Sequence, residues 1–79
     1  MLRAEFTVEP FISGHPGPHV EAALDAAAAA GLEVDMGPLG TSVEGDDDQV
    51  VNAMAAVLHK AMAAGATRVS LQVTRRPSS

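Results

Sequence analysis

The chain has 79 residues, no cysteine and a formal net charge of −5, with ten acidic and five basic side chains. That length is enough for one domain and too short for two, and the missing thiols exclude disulfides and thiolate metal sites. The basic residues are scattered and the only aromatic residues are Phe6 and Phe11, so we expect no nucleic-acid partner, which would need a basic face and exposed rings.

Alternating residues predict a strand at the start of the chain. Leu2, Ala4, Phe6 and Val8 alternate with Arg3, Glu5, Thr7 and Glu9. This period of two is typical of a strand with one buried face. Pro10 ends the strand, and prolines and glycines then interrupt the chain as far as Pro18, which predicts a loop. Ser13 is the one hydroxyl donor of this loop.

A helix and a hairpin are predicted next. Pro18 suits a first helical position and Gly31 supplies a left-handed stop. Residues 32–36 alternate apolar with acidic side chains and predict a second strand. A four-residue turn at 37–40 then leads to a third strand at 41–44. Because the connection is short, the two strands should form an antiparallel hairpin.

The last third of the chain predicts a second helix and a fourth strand. Three aspartates at 46–48 complement the positive end of a helix dipole. The predicted apolar stripe of this helix is Val50, Met54, Val57, Leu58 and Met62. Gly65 ends the helix, and alternation over 68–74 predicts the strand. We therefore expect one domain over 1–74 and an unpaired, mobile tail over 75–79.

These elements predict an α+β, ferredoxin-like βαββαβ sandwich, with a four-stranded antiparallel sheet and both helices on one face. The predicted helix-facing side chains are Ala4, Phe6, Val8, Val34, Met36, Val43, Val69, Leu71 and Val73. The predicted opposite face carries Arg3, Glu5, Thr7, Ser42, Glu44, Ser70, Gln72 and Thr74. Because neighbouring carboxylates repel, the pair Glu5 and Glu44 should be compensated by Arg3, a bound cation or another subunit.

Catalysis and metal binding find little support in the sequence. General acid–base chemistry needs carboxylates in different environments, and nothing in the pattern separates Glu5 from Glu44. His15 and His19 are separated by Pro16-Gly17-Pro18, so they do not share a helical face, and no third ligand lies at motif spacing. We therefore expect no enzyme activity, no metal site and no cofactor. The polar face remains open to two interpretations, ligand contact or a solvated or subunit-covered surface.

Membrane insertion is not expected either. Glu5 and Glu9 come too early for a signal peptide, and Asp25 interrupts the apolar stretch of the first helix. The default expectation is a cytoplasmic protein.

Two segments resemble a known family. The run Ala4-Glu5-Phe6-Thr7-Val8-Glu9-Pro10 resembles the opening strand of the small, YkoF-like thiamine-binding proteins. The segment 37–45 resembles their Gly-Pro-Met-Gly-Thr-x-x-Glu-Gly hairpin. The resemblance implies a ferredoxin-like fold, assembly into dimers and tetramers, and binding of thiamine or its hydroxymethylpyrimidine half without a catalytic step. Its matching candidate ligand residues are Glu5, Thr7, Thr41 and Glu44, to which we add Ser13 of the first loop.

Two functions follow as hypotheses. In the first, a cytoplasmic homo-oligomer binds thiamine or a related pyrimidine without transforming it. In the second, the chain is an assembly or regulatory module whose open sheet face contacts another protein. Basic groups across an interface would then pair with Glu5 and Glu44.

Overall fold

A computed structural model of the protein describes residues 1–10, 17–37 and 40–77. The elements of these residues follow in the order βαββαβ. They are β1 (Leu2–Glu9), α1 (Pro18–Ala29), β2 (Val34–Gly37), β3 (Gly40–Gly45), α2 (Asp47–Ala63) and β4 (Arg68–Arg75). The strands form one antiparallel sheet in the order β2-β3-β1-β4. The predicted ferredoxin-like α+β fold is therefore confirmed.

β1 lies at the centre of the fold and has two different faces. It pairs with β3 on one side and with β4 on the other. Its apolar residues are all buried, whereas Glu5 and Thr7 are exposed. Both helices contact β1 and each other, so the buried side chains face the helices. Burial of this apolar surface is the main favourable contribution to folding, and the predicted phase of β1 is confirmed.

α2 packs on the sheet through a narrower face than the sequence predicted. Its buried residues are Val50, Ala53, Met54, Val57 and Ala61. Leu58 and Met62, placed in the apolar stripe by the sequence analysis, are 38% and 53% exposed. Each follows a buried residue by one position, which turns it about 100° away around the helix. The alanines fill the buried face instead, and their small side chains let α2 approach its neighbours closely.

Two side chains predicted to face the helices are exposed. Met36 is 63% and Val73 is 46% exposed. Their phase is as predicted, because Val73 lies opposite Ala4, and Met36 lies opposite Thr41, which in turn pairs with Phe6. Both residues belong to the edge strands β2 and β4. The two helices leave these outer positions uncovered. The prediction that Met36 and Val73 lie on the helix side of the sheet was right, and the implied burial was wrong.

The end of the chain is more strongly attached than the sequence predicted. Arg75 pairs with Leu2 as the last residue of β4, and the Arg76 N–H donates to the Met1 carbonyl over 2.9 Å. The prediction of an unpaired tail from residue 75 onward is therefore wrong for these two residues. Residues 78–79 lie outside the described part of the chain.

Over the residues that the structure describes, neither helix combines the length and the apolar character needed to cross a membrane.

Candidate functional site

The face of the sheet away from the helices, called the open face below, carries a row of polar side chains. One member comes from each strand, and neighbours lie directly opposite one another: Asp35 with Ser42, Ser42 with Glu5, and Glu5 with Gln72. Opposite residues of antiparallel strands project from the same face. We call these four residues the polar row. It crosses the whole width of the sheet.

The polar row forms the floor of a groove of about 710 Å³. This volume lies in the range of small-molecule sites, which run from about 300 to 1,000 Å³. The groove is lined by the polar row together with Arg3, Phe6, Thr7, Gly37, Gly40, Thr41, Ser70 and Leu71. Carboxylate, amide and hydroxyl groups of this kind supply both hydrogen-bond donors and acceptors. The groove is therefore suited to a polar ligand of modest size.

A second hollow of about 530 Å³ adjoins the groove beside β2 and β3. It shares Arg3, Asp35 and Ser42 with the groove and adds Glu33 and Glu44. Three carboxylates and one guanidinium therefore surround it. The two hollows form one continuous surface, with Asp35 where they meet.

Arg3 links the two glutamates of the open face. Its Nε donates to Glu5 Oε1 and its Nη1 donates to Glu44 Oε1, each over 3.1 Å. The hydrogen bonds to Glu5 and then to Glu44 raise the pKa of Arg3 above its ordinary value. Arg76 Nη1 also donates to Glu44 Oε1, over 2.9 Å. Of the three compensating partners considered from the sequence, the chain's own Arg3 is present, with Arg76 added.

The structure brings three of the five predicted ligand residues onto one face. Glu5 and Thr7 are exposed and line the groove, and Glu44 is half-buried in the adjoining hollow. Thr41 borders the groove but lies opposite Phe6 in the register, so it is in phase with the core residues. Ser13 lies outside the described residues. Their role in binding remains a prediction.

Asp35 is the groove residue that sequence reasoning missed. It is exposed, lies opposite Ser42 and lines both hollows. The signal was present, because Asp35 lies between Val34 and Met36, and a period of two sends its side chain to the open face. The strand was recognised, but its acidic residues were not assigned to that face.

Gly40 keeps the β3 end of the groove open. Its φ of +155° disfavours any residue with a side chain. A Cβ at this position would lie 3.1 Å from the Phe6 carbonyl oxygen and 3.2 Å from Thr7 Cγ2. The glycine therefore allows β3 to approach β1 closely and leaves the space above Thr7 unfilled.

Metal ligands do not converge anywhere in the described part of the chain. Residues 1–10, 17–37 and 40–77 contain no group of three or more histidine, aspartate or glutamate side chains placed to hold an ion. What the groove offers is hydrogen bonding and charge.

The sequence profile of thiamine-binding proteins matches residues 4–76. The chain belongs to the thiamine-binding protein family. The match begins in β1 and ends just beyond β4, so it includes the hairpin and both helices. It confirms the resemblance seen in the opening strand and the hairpin. No curated protein is significantly similar to the chain in sequence.

Several solved structures have the same fold. A domain of unknown function, DUF77, from Bacillus cereus has a TM-score of 0.72 at 24% identity, over 98% of this chain and 77% of that chain. A hypothetical protein from Methanocaldococcus jannascii has a TM-score of 0.74 at 23% identity, over 99% and 82%. A candidate thiamine biosynthesis/salvage protein from Thermotoga maritima has a TM-score of 0.67 at 20% identity, over 92% and 78%. At these identities the likeness shows the fold alone.

Proposed function

We propose that the chain binds thiamine, or its hydroxymethylpyrimidine half, in the groove of the open face and does not transform it. Membership of the thiamine-binding protein family supports the ligand class. The observation that carries the proposal is the polar row, which crosses a groove of suitable volume. The Thermotoga protein of the same fold, described as a candidate for thiamine biosynthesis or salvage, points the same way.

The groups lining the groove complement an aminopyrimidine. Such a ring has an exocyclic amine that donates and ring nitrogens that accept. In this proposal Glu5 accepts from the amine, Gln72 both donates and accepts, and the hydroxyl of Thr7 sets the orientation of the ring. Thr41 at the border of the groove and Glu44 in the adjoining hollow, the other matches to the family motif, remain candidate contacts, and Ser13 remains a candidate from the loop.

Arg3 prepares Glu5 for this role. Its guanidinium engages Oε1 of Glu5, and no hydrogen bond to Oε2 is present among the described residues. An ionised carboxylate has about four lone-pair sites, so the held side chain still has acceptors for a ligand. A carboxylate fixed in this way loses less conformational freedom when the ligand binds. Arg3 is therefore a positioning residue in the proposal.

Self-association into a dimer or tetramer is part of the proposed function. Val51, Leu58 and Met62 are exposed on α2, and Met36 and Val73 are exposed on the edge strands. A domain of this size buries only about 60% of its unfolded surface, so covering such side chains with a second copy would add stability. Light scattering coupled to size-exclusion chromatography measures the assembly. The expected cytoplasmic setting also remains a proposal.

The alternative function, a protein-binding module, has less support. It needed basic groups from a partner opposite Glu5 and Glu44. Arg3 and Arg76 of the same chain already form ion pairs with these carboxylates. The open face therefore does not require a protein partner for charge balance, and a small ligand is the better-supported occupant.

Calorimetry tests the proposal. We expect the wild-type chain to bind thiamine, and Glu5→Gln to bind it about 10- to 100-fold more weakly, because hydrogen bonds to charged groups contribute about 1.5–3 kcal/mol. Glu21→Gln, which removes the same charge from the exposed side of α1, is the matched control and should bind like wild type. Wild-type protein that binds neither thiamine nor hydroxymethylpyrimidine at millimolar concentration would overturn the proposal.

A further inference from the structure

Negative charge is unevenly balanced across the open face. Glu5 and Glu44 are both paired with arginines. Asp35 and Glu33, at the β2 end, form no ion pair with any residue in 1–10, 17–37 or 40–77. The uncompensated negative charge of the two hollows therefore lies at the β2 end, and the centre of the sheet is close to neutral.

Space for a ring lies next to Asp35. Gly37 follows it by two positions in β2 and pairs with Gly40 across the hairpin. Both glycines are in phase with the open face and line the groove. Since neither has a side chain, the groove is not filled above the backbone of this pair.

We propose that Asp35 is the counter-ion of the ligand's cationic half and thereby sets the direction in which the ligand lies. This inference rests on the proposed function. The cationic ring lies at the β2–β3 end, over the Gly37–Gly40 pair. The neutral pyrimidine half lies toward β1 and β4, over Glu5 and Gln72.

The electrostatic reason is the competition already present at the centre of the sheet. A cation placed at Glu5 or Glu44 would have to share the carboxylate with a guanidinium that is held within 3.1 Å. A cation placed at Asp35 meets no such competitor among the described residues, and Glu33 beside it adds to the attraction. Charge complementarity of this kind fixes orientation and specificity more than it adds affinity.

Comparison of a charged and a neutral ligand tests the inference. Thiamine carries a fixed positive charge on its thiazolium ring, whereas free hydroxymethylpyrimidine is neutral at pH 7. We expect Asp35→Asn to weaken thiamine binding about two- to fivefold and to leave hydroxymethylpyrimidine binding unchanged. Gln72→Ala should lower the affinity for both ligands, since both contain the pyrimidine. Asp25→Asn, which removes one charge from an exposed position of α1, should change neither.

The ionic-strength dependence gives a second measurement. Salt screens interactions between exposed charges, so wild-type affinity for thiamine should fall between 50 and 300 mM salt, and Asp35→Asn should show a smaller fall. If Asp35→Asn lowers the affinity for both ligands equally, or for neither, the role of Asp35 is refuted. The proposed function is still supported in that case, provided that the wild-type protein binds thiamine. If the wild-type protein binds neither ligand, both the role of Asp35 and the proposed function are refuted. Circular dichroism of each variant confirms that the fold is retained.

Discussion

On the helix-covered face of β1, Ala4 and Phe6 are 0% and 3% exposed, whereas Glu5 and Thr7, their neighbours in the chain, are exposed on the open face. The covered face consists of side chains that only pack, and the open face consists of side chains that donate, accept or carry charge. A single strand thus serves stability with one set of alternate residues and offers a binding surface with the other. Substitutions one residue apart should therefore have effects of different kinds.

The largest expected effect comes from the covered face. Phe6→Ala removes a buried ring from the core and should lower the free energy of unfolding by about 3–5 kcal/mol. Thr7→Ala, the next residue but on the open face, should change it by less than about 0.5 kcal/mol. Urea denaturation followed by circular dichroism measures both. Similar losses for the two variants would mean that the faces are not distinct in the way described.

A smaller effect on stability is expected from a substitution at Gly40, in the hairpin of β2 and β3. Gly40→Ala places a Cβ in a left-handed conformation and within 3.2 Å of β1, so it should cost about 1–3 kcal/mol and weaken thiamine binding. Gly65→Ala is the matched control, because its φ of +106° brings the same kind of strain but its Cβ would meet no atom within 4 Å.

We expect Gly65→Ala to lower stability by less than Gly40→Ala and to leave the affinity for thiamine unchanged. Calorimetry and urea denaturation of the two variants separate backbone strain from loss of space in the groove. Equal affinity in the two variants would show that the room above Thr7 is not used by the ligand.

The sequence predicted most reliably what depends on local pattern. The alternation in β1 identified which side of the strand is buried, and the resemblance of the hairpin to a known motif identified the family. These features need only a period of two or a short run of residues. The register in which β1 pairs with its neighbours then follows, because a shift of one residue would move every apolar side chain of β1 to the open face.

The features that the sequence did not predict depend on tertiary arrangement. Whether Leu58 or Ala61 is buried depends on the rotation of α2 against the sheet, and both choices fit a helical pattern. Exposure of Met36 depends on how far the helices extend over an edge strand. The contact of Arg76 with Glu44 joins residues far apart in the chain, and no local pattern indicates it. Asp35 is different, because the alternation of residues 32–36 was sufficient to place it on the open face.

NMR titration with thiamine shows on which face of the sheet the ligand binds. If the ligand binds in the groove, the Thr7 methyl and Gln72 side-chain amide signals shift on titration, while the methyl signals of Val43 and Val57, buried on the covered side, shift much less. Saturable binding with its largest shifts at Val51 and Met62 on the outer side of α2 would contradict binding in the groove of the open face.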